Sequence, residues 1–361
     1  MQQRSIPRLR IYQVGSLALL LVLIAGWMTM GGFKGLTSKA QASRPAGGVG
    51  GCPFYPADNI WNYDISNVPV HVNSANFIKS IGSSGVLHPD FGTGKIGIPF
   101  VVVPGSQPFV PVKFQIKHES DPGPYPIPPN APVEAGGDRH VLVVDSGNCN
   151  LYEMYHSHLQ PDHSWKAYSG AKWDLNSDKL RPSGWTSADA AGLPILPGLV
   201  TYDEVASGVI NHALRFTVSQ SQAAFLWPAR HYASSSSNKN LPPMGLRLRL
   251  KANIDISHFS PTNQVILTAL KHYGMFVADN GSSWFLSGAP DKRWNNNDLH
   301  LLDGIVGSDF EAVDESSLQA SPNSGKVKAP STTLSGNGVG TSAHFPTSEA
   351  VGWFRESDLI G

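Results

Sequence analysis

The sequence has few charged residues and no excess of either sign. Asp, Glu, Lys and Arg make up 15% of the 361 residues, and the 27 basic side chains equal the 27 acidic ones in number. Proteins that bind nucleic acid through its phosphates carry a clustered basic excess. The composition therefore excludes a nucleic-acid partner, and it argues against binding of the globular part to anionic lipid.

The sequence also lacks several motifs that are typical of particular enzyme or cofactor-binding classes. It contains no Gly-x-x-x-x-Gly-Lys-Ser/Thr loop and no Gly-x-Ser-x-Gly turn. It contains no His-Glu-x-x-His motif and no cysteine quartet. These absences argue against nucleotide-dependent work, and we expect a protein that uses neither a cofactor nor a metal ion.

Cysteine is scarce, since Cys52 and Cys149 are the only two in the chain. Two alternatives remain for them: a disulfide bond, or two separate buried thiols. In an oxidising compartment two cysteines usually pair. We therefore predict a Cys52–Cys149 disulfide, whose loop of about one hundred residues makes it worth about 4–5 kcal/mol.

One long hydrophobic run stands near the N-terminus. Three arginines, Arg4, Arg8 and Arg10, precede the apolar run from Val14 to Met30, and Ala40-Gln41-Ala42 follows it. This order is typical of a secretory signal, although the run also reaches the short limit for a membrane span. Residues 1–42 are predicted to be a signal peptide or an uncleaved N-terminal anchor. We expect a secreted or extracytoplasmic protein that meets the membrane only through this segment.

The rest of the chain is predicted to form one domain. With 36 glycines and 28 prolines, many short elements joined by turns are favoured over long helices. We predict a flexible linker over 43–52, a single β-rich globular domain over 53–318 and a largely disordered tail over 319–361. Alternating patterns indicate strands, including a hairpin over 140–155, whereas helices are predicted only over 202–208 and 261–273. The fold prediction is mainly β: a monomeric antiparallel β-sandwich or jelly-roll-like body with one or two covering helices.

Polar residues next to apolar runs are the candidates for catalysis, and they are Glu153, Asp189, His212 and Asp279. Two carboxyl groups can share glycoside hydrolysis, one protonating the leaving oxygen and the other acting as nucleophile or base. His212 would support them, or would serve as the base of a polysaccharide lyase. Each candidate has a structural alternative: a turn for either aspartate, the core for the histidine, and a solvent-facing strand for the glutamate.

Candidates for substrate binding lie beside these residues, and they are Arg139, His140, Trp185, Arg230, His231 and Trp284. Indole rings on the loops of a β scaffold stack well on sugars, because each offers a flat apolar face and one hydrogen-bond donor. The chain has nine tryptophans, most of them in or beside turn-rich segments. We therefore expect a polysaccharide or cell-wall glycan as the partner, with core packing as the alternative for any single tryptophan.

A metal site is a further possibility at His156 and His158. Two residues apart on a strand, these imidazoles would face the same side and could bind zinc or copper. No ligand pattern around them supports the site, so a metal-dependent extracellular enzyme is the third alternative for the function.

Four segments resemble a group of uncharacterised secreted bacterial proteins. They are residues 137–145, 189–198, 212–216 and 279–282. The resemblance covers most of 53–318 and implies export from a bacterial cell. It implies no activity, cofactor or catalytic residue.

Two main hypotheses for the function remain. The first is a secreted carbohydrate-active enzyme, most readily a glycoside hydrolase with paired carboxyl groups. The second is a non-catalytic extracellular protein that binds glycan or belongs to the envelope. Retaining and inverting glycoside hydrolases both need their two carboxyl groups within about 10 Å of each other. A larger separation would therefore favour the second hypothesis.

Overall fold

The computed structural model describes residues 47–329, and the fold over this range is mainly β, as predicted. The predicted signal or anchor over 1–42 lies outside the described residues, together with the start of the linker and residues 330–361 of the tail. Between residues 47 and 329 no helix combines the length and the apolar character that crossing a bilayer requires.

The strands are short and follow one another closely along the chain. They are β1 (Gly48–Val49), β2 (Cys52–Pro53), β3 (His88–Asp90), β4 (Phe100–Val103), β5 (Val112–Phe114), β6 (Val141–Asp145), β7 (Asn150–Tyr155), β8 (His158–Leu159), β9 (Trp165–Ala167), β10 (Ser169–Asp174), β11 (Leu214–Val218), β12 (Arg247–Leu250), β13 (Met275–Asn280), β14 (Phe285–Ser287) and β15 (Phe310–Ala312). The α-helices are α1 (Ser74–Ile81), α2 (Tyr202–Ser207), α3 (Pro261–His272) and α4 (Asn296–Leu299).

Two larger sheets form the framework. One has four strands in the order β10-β7-β6-β4, and the other has six in the order β15-β12-β13-β11-β14-β3. Strands β6 and β7 pair antiparallel, which confirms the predicted hairpin. Both sheets also contain parallel pairs, β4 with β6 in the first and β11 with β13 and β14 with β3 in the second. The sheets are therefore mixed, a property that the alternation within single strands does not reveal.

Helices α2 and α3 form where the sequence predicts helices. Ser260 caps α3 by accepting a hydrogen bond from the Asn263 amide, and Pro261 occupies the first turn, where its missing N–H costs nothing. The buried face of α3 carries Ile266, Leu267, Ala269 and Leu270. Thr201 caps α2 in the same way by accepting from the Glu204 amide.

The predicted disulfide between Cys52 and Cys149 is present. It ties β2, near the start of the described chain, to the turn between β6 and β7, across a sequence separation of 97 residues. A disulfide of this kind persists in oxidising compartments and is rare in the cytosol. The bond therefore fits an extracytoplasmic location.

The globular body is longer at both ends than the sequence predicts. Strand β1, within the predicted linker, pairs with β2. Residues 319–329, within the predicted tail, are held by bridges from Gln319 to Val327 and from Lys326 to Asn59. The difference arises because backbone hydrogen bonds, rather than apolar periodicity, hold this polar segment on the body.

Removing the disulfide should lower stability without changing the fold. We expect the double variant Cys52→Ala/Cys149→Ala to lose about 4–5 kcal/mol in its free energy of unfolding, because the unfolded chain is no longer restrained by a loop of this length. Urea denaturation followed by tryptophan fluorescence measures the loss. Reducing agent should shift the midpoint of the wild type and leave that of the variant unchanged. Equal stability of the two proteins would contradict the assigned role.

Candidate active site

The segment of residues 186–200 connects the two larger sheets and carries Asp189 between them. On one side, the amide of Ala191 donates to the carbonyl of Ala278 on β13 (3.0 Å). On the other side, the amides of Ile195 and Leu196 donate to the Glu153 carboxylate on β7, both at 2.9 Å to Oε1. These hydrogen bonds fix the position of Asp189 inside the protein.

Asp189 forms a buried ion pair with Arg215 of β11. Oδ2 of Asp189 lies 3.2 Å from both Nε and Nη2 of the guanidinium. The Asp189 side chain has no exposed area, and that of Arg215 is 4% exposed. Nη1 of Arg215 donates to Oγ of Ser287 on β14 (2.7 Å). A guanidinium so enclosed stays charged and needs carboxylates around it.

Asp279 brings a second carboxylate to the same cation. It lies on β13 opposite Thr217 of β11, where the parallel pairing shifts register between Phe216 and Thr217. Such irregularities re-aim side chains next to functional sites. Asp279 is half-buried, and the charge of Arg215 acts on it. The amide of Asn280 donates to its Oδ1 (2.7 Å).

The two aspartates compete for one positive charge. Burial raises the pKa of Asp189 to about 7; the Arg215 charge opposes the rise and the Asp279 charge adds to it. Burial also raises the pKa of Asp279. Because like charges close together cannot both ionise cheaply, the two carboxyl groups titrate as a pair. Because the pKa of Asp189 is raised to about 7, the pair binds one proton below that pH, which is called the shared proton below.

A second polar pair, His140 and Glu134, completes the interior of the site. Nδ1 of His140 lies 2.5 Å from Oε2 of Glu134, and Nε2 lies 3.0 Å from the carbonyl oxygen of Ala188. Burial disfavours the charged ring, but the hydrogen bond and charge of Glu134 outweigh it and raise the pKa of His140. Since both ring nitrogens face acceptors, the ring is best satisfied as an imidazolium. His140 is therefore a cation of the site rather than a base.

Glu153, a predicted catalytic residue, lies in a separate set of hydrogen bonds. Its side chain is fully buried, and its two oxygens accept from the amides of Ile195 and Leu196 and from the indole of Trp173 (3.0 Å). Burial raises the pKa of the carboxyl group. With three donors bound, Glu153 holds the segment 186–200 in place.

His212 and Arg230, two other predicted site residues, make contacts within the protein. His212 is fully buried, with Nε2 2.9 Å from Oε1 of Glu204 and Nδ1 2.9 Å from the carbonyl of Ala213. Arg230 donates to the carbonyl of Pro322 (2.7 Å) and to Oδ1 of Asn323 (2.9 Å). It fastens the segment 319–329 to the body.

Most of the indoles that the sequence suggested for sugar stacking lie in the core. Trp284 is fully buried between Phe216 and Phe310, and its Nε1 donates to the carbonyl of Gly82 (2.8 Å). Four others are at most 5% exposed, and they are Trp61, Trp165, Trp173 and Trp294. Trp185 and Trp227 are half-buried. Core packing therefore explains most of these tryptophans.

The rim of the site carries the accessible aromatic and basic groups. Half-buried Tyr155 packs beside His140, with ring centroids 5.4 Å apart. Burial raises the pKa of Tyr155 most, and the charges of Asp138 and then Asp279 raise it further. His231 binds the carbonyl of Ala190 through Nδ1 (2.8 Å) and stacks on Tyr232. Arg139, with φ of 50°, donates to the carbonyl of Ser157 (3.0 Å). Trp185 is half-buried, and the Arg181 guanidinium that covers it, at 5.5 Å from the ring centroid, is itself buried.

A glycine-rich loop and the histidine pair 156/158 lie outside the structural contexts in which such residues bind a dinucleotide or a metal ion. Gly92, Gly94 and Gly97 have the Gly-x-Gly-x-x-Gly spacing, but the loop leads from β3 to strand β4 instead of opening a helix. His156 and His158 are exposed, with ring centroids 4.8 Å apart. Among residues 47–329 no third ligand-bearing residue completes a group with them.

Comparisons with protein-family models, with curated proteins and with solved structures find no match to this chain.

Sequence reasoning found Asp189, Asp279 and His140 but missed Arg215 and Glu134. Arg215 is a single charge inside the apolar strand Leu214–Val218, and a buried charge of this kind needs a partner. That signal is visible in the sequence. Glu134 gives no such signal, because it lies in a polar loop and meets His140 only through the fold.

Replacing Glu153 should destabilise the protein. In Glu153→Gln the amide nitrogen would face an N–H donor, so we expect a loss of about 2–3 kcal/mol in the free energy of unfolding. The control Asp203→Asn removes a carboxylate that is 83% exposed and paired with Arg293, and it should cost under about 1 kcal/mol. Urea denaturation compares the two. Equal, small losses would show that Glu153 does not hold the segment 186–200.

The shared proton should make stability fall with rising pH. The folded chain keeps the Asp189 proton up to about pH 7, whereas the unfolded chain releases it near pH 4. The free energy of unfolding of the wild type should therefore fall between these values by about 1.4 kcal/mol per pH unit for this proton, and then level off.

In Asp189→Asn this contribution is absent, so its stability should fall less steeply between about pH 5 and 6.5. The slopes are compared, rather than the absolute values, because the variant also leaves Arg215 with one partner fewer. Denaturant titrations at a series of pH values give both slopes. Parallel curves for the two proteins would contradict the raised pKa of Asp189.

Proposed function

We propose that the chain is an extracytoplasmic glycan hydrolase in which Asp279 exchanges a proton with the substrate and Asp189 sets the protonation of the pair. The observation that carries the proposal is convergence: two carboxylates from distant parts of the chain act on one buried guanidinium, Arg215. A cation with two carboxylates beside it is the kind of environment that separates the proton affinities of acid and base groups.

The shared proton supplies what glycoside hydrolysis requires. Protonated Asp279 gives its proton to the leaving oxygen, and the Asp279 carboxylate left behind then takes a proton from the water that adds to the sugar carbon, which restores the proton of the pair. Asp279, as the half-buried member, is the group that can touch a sugar, whereas Asp189 is fully enclosed. Asp279 is therefore the catalytic residue of the proposal, and Asp189 is a positioning residue that acts through it.

The accessible aromatic groups support a sugar as substrate. Tyr155 lies beside His140, and the His231–Tyr232 stack is tied to the carbonyl of Ala190, the residue that follows Asp189. Tyrosine and histidine rings offer the flat, partly polar faces on which pyranose rings stack. In the proposal they take the place of the buried indoles.

The location of the protein agrees with a polymeric substrate outside the cell. The disulfide fits an oxidising compartment, and the basic and apolar N-terminal segment is typical of exported chains. We propose a secreted monomer, or one held by an uncleaved anchor, that acts on an external or cell-wall polysaccharide. The lyase variant with His212 as base gains no support, because that ring is enclosed by Glu204 and Phe54.

Asp279→Asn should abolish hydrolysis while the fold and glycan binding remain. The purified chain is screened against a panel of bacterial polysaccharides, and both binding and release of reducing ends are measured. On a responsive glycan we expect the rate to fall by at least about 100-fold, because general acid–base catalysis is worth that much or more. The control Asp255→Asn, on an exposed loop before α3, should retain full activity.

The outcomes separate the two hypotheses. Binding without any release of product from the wild type would favour the non-catalytic glycan-binding protein. Full activity of Asp279→Asn would remove Asp279 from the mechanism.

A further inference from the structure

A second group of ligand-bearing side chains lies at the edge of the six-stranded sheet. His88 belongs to the edge strand β3, and His300 and Asp303 belong to the short 3-10 turn His300–Gly304 that follows α4. In such a turn residues three apart lie on the same face, so His300 and Asp303 both point to one side. The ligand atoms of the three residues all lie within 4.8 Å of one another.

The distances within this group fit a shared ion better than direct hydrogen bonds. Nδ1 of His88 lies 3.9 Å from Oδ1 of Asp303, and Nδ1 of His300 lies 3.7 Å from Oδ2. Both separations are too long for hydrogen bonds. Two ligand atoms that bind one zinc ion at about 2.1 Å lie about 3.4 Å apart in a tetrahedral site. Small side-chain rotations would therefore bring all three ligands onto one ion.

Asp303 provides an independent sign of a missing partner. Its Oδ1 is buried and has no hydrogen-bond partner. A buried carboxylate oxygen without a partner is costly, and a bound cation would satisfy it. This oxygen is the one that faces the His88 ring.

The surrounding backbone holds the ligands in place without the ion. The amide of Leu87 donates to the carbonyl of Ile305 (2.8 Å), and Val86 pairs with Val306. These contacts fix β3 against the chain that directly follows the 3-10 turn. The His88 ring also packs on Phe285, with centroids 4.2 Å apart. The site is thus preorganised by residues from two distant parts of the chain.

We propose that His88, His300 and Asp303 bind a divalent transition-metal ion of the zinc class. Two imidazoles and one carboxylate are ligands that such ions favour. Three protein ligands leave a fourth position for water or a substrate atom, and this position faces solvent, since the His300 and Asp303 side chains are 49% and 40% exposed.

This site is separate from the carboxyl pair, and the inference does not rest on the proposed hydrolase. His88 lies opposite Phe285, Phe285 opposite Thr217, and Thr217 opposite Asp279. Three strand spacings of about 4.8 Å put the backbones of His88 and Asp279 about 14 Å apart.

Zinc titration of the full chain, after treatment with a chelator and dialysis, tests the proposal. Calorimetry should show one Zn²⁺ per chain, and His300→Ala and Asp303→Asn should each weaken binding by at least about 100-fold, since even outer-shell changes cost 10- to 100-fold. Zn²⁺ should also raise the melting temperature of the wild type and not that of the variants. Cobalt absorption in the visible region reports the same ligands.

The matched control is His156→Ala/His158→Ala, which removes the exposed histidine pair and should bind Zn²⁺ like the wild type. His300 is exposed, so melting curves of the metal-free His300→Ala variant should match those of the wild type. Wild-type affinity in both His300→Ala and Asp303→Asn would overturn the proposal. Loss of binding in the control variant, or no saturable binding by the wild type, would overturn it equally.

Discussion

The buried guanidinium of Arg215 is the constraint on which the centre of this protein depends. A charge inside a β-sheet is tolerated only with opposite charge and hydrogen-bond acceptors around it, and removing one partner of such a pair costs about 3–5 kcal/mol. Asp189, Asp279 and Ser287 supply that environment from three different segments. The requirement thus fixes the segment 186–200 against the six-stranded sheet and brings the two carboxylates together.

The same arrangement explains why the site has unusual acid–base properties. Arg215 and the His140 imidazolium are the cations, and Glu134, Asp189 and Asp279 are the carboxyl groups. With every group ionised the cluster would carry excess negative charge in a poorly hydrated space, and binding one proton between Asp189 and Asp279 relieves it. Stability and protonation are therefore linked through one cluster, in which the Asp189 side chain is fully buried and Asp279 is half-buried.

Local features were predictable from the sequence, and long-range ones were not. The β6–β7 hairpin follows from alternation around a Ser-Gly-Asn turn, and α3 follows from Ser260, Pro261 and an apolar face; both are confirmed. The disulfide followed from having only two cysteines. The parallel pairs between β11 and β13, by contrast, join segments far apart in the chain, and no local pattern specifies such pairing.

In the predicted site, too, single residues could be selected from the sequence, but their partners could not. Asp189 and Asp279 were found as polar residues next to apolar runs. The same criterion also selected Glu153, which accepts from buried amides, and His212, which binds the half-buried carboxylate of Glu204. A polar residue in an apolar run must have a partner, and the sequence does not say whether that partner is a substrate or the protein itself. The histidine pair 156/158 was visible as a spacing, whereas the group of His88, His300 and Asp303 exists only because the fold brings β3 and the turn after α4 together.

The most direct test of the shared proton is an NMR titration of the aspartate side-chain carboxyl carbons in protein labelled with ¹³C-aspartate, from about pH 4 to pH 9. Asp189 should titrate with a midpoint near 7, and its signal, assigned by its absence in Asp189→Asn, should move when Asp279 is replaced by Asn. Titration of every aspartate below about pH 5, the ordinary range for this residue, would contradict the account.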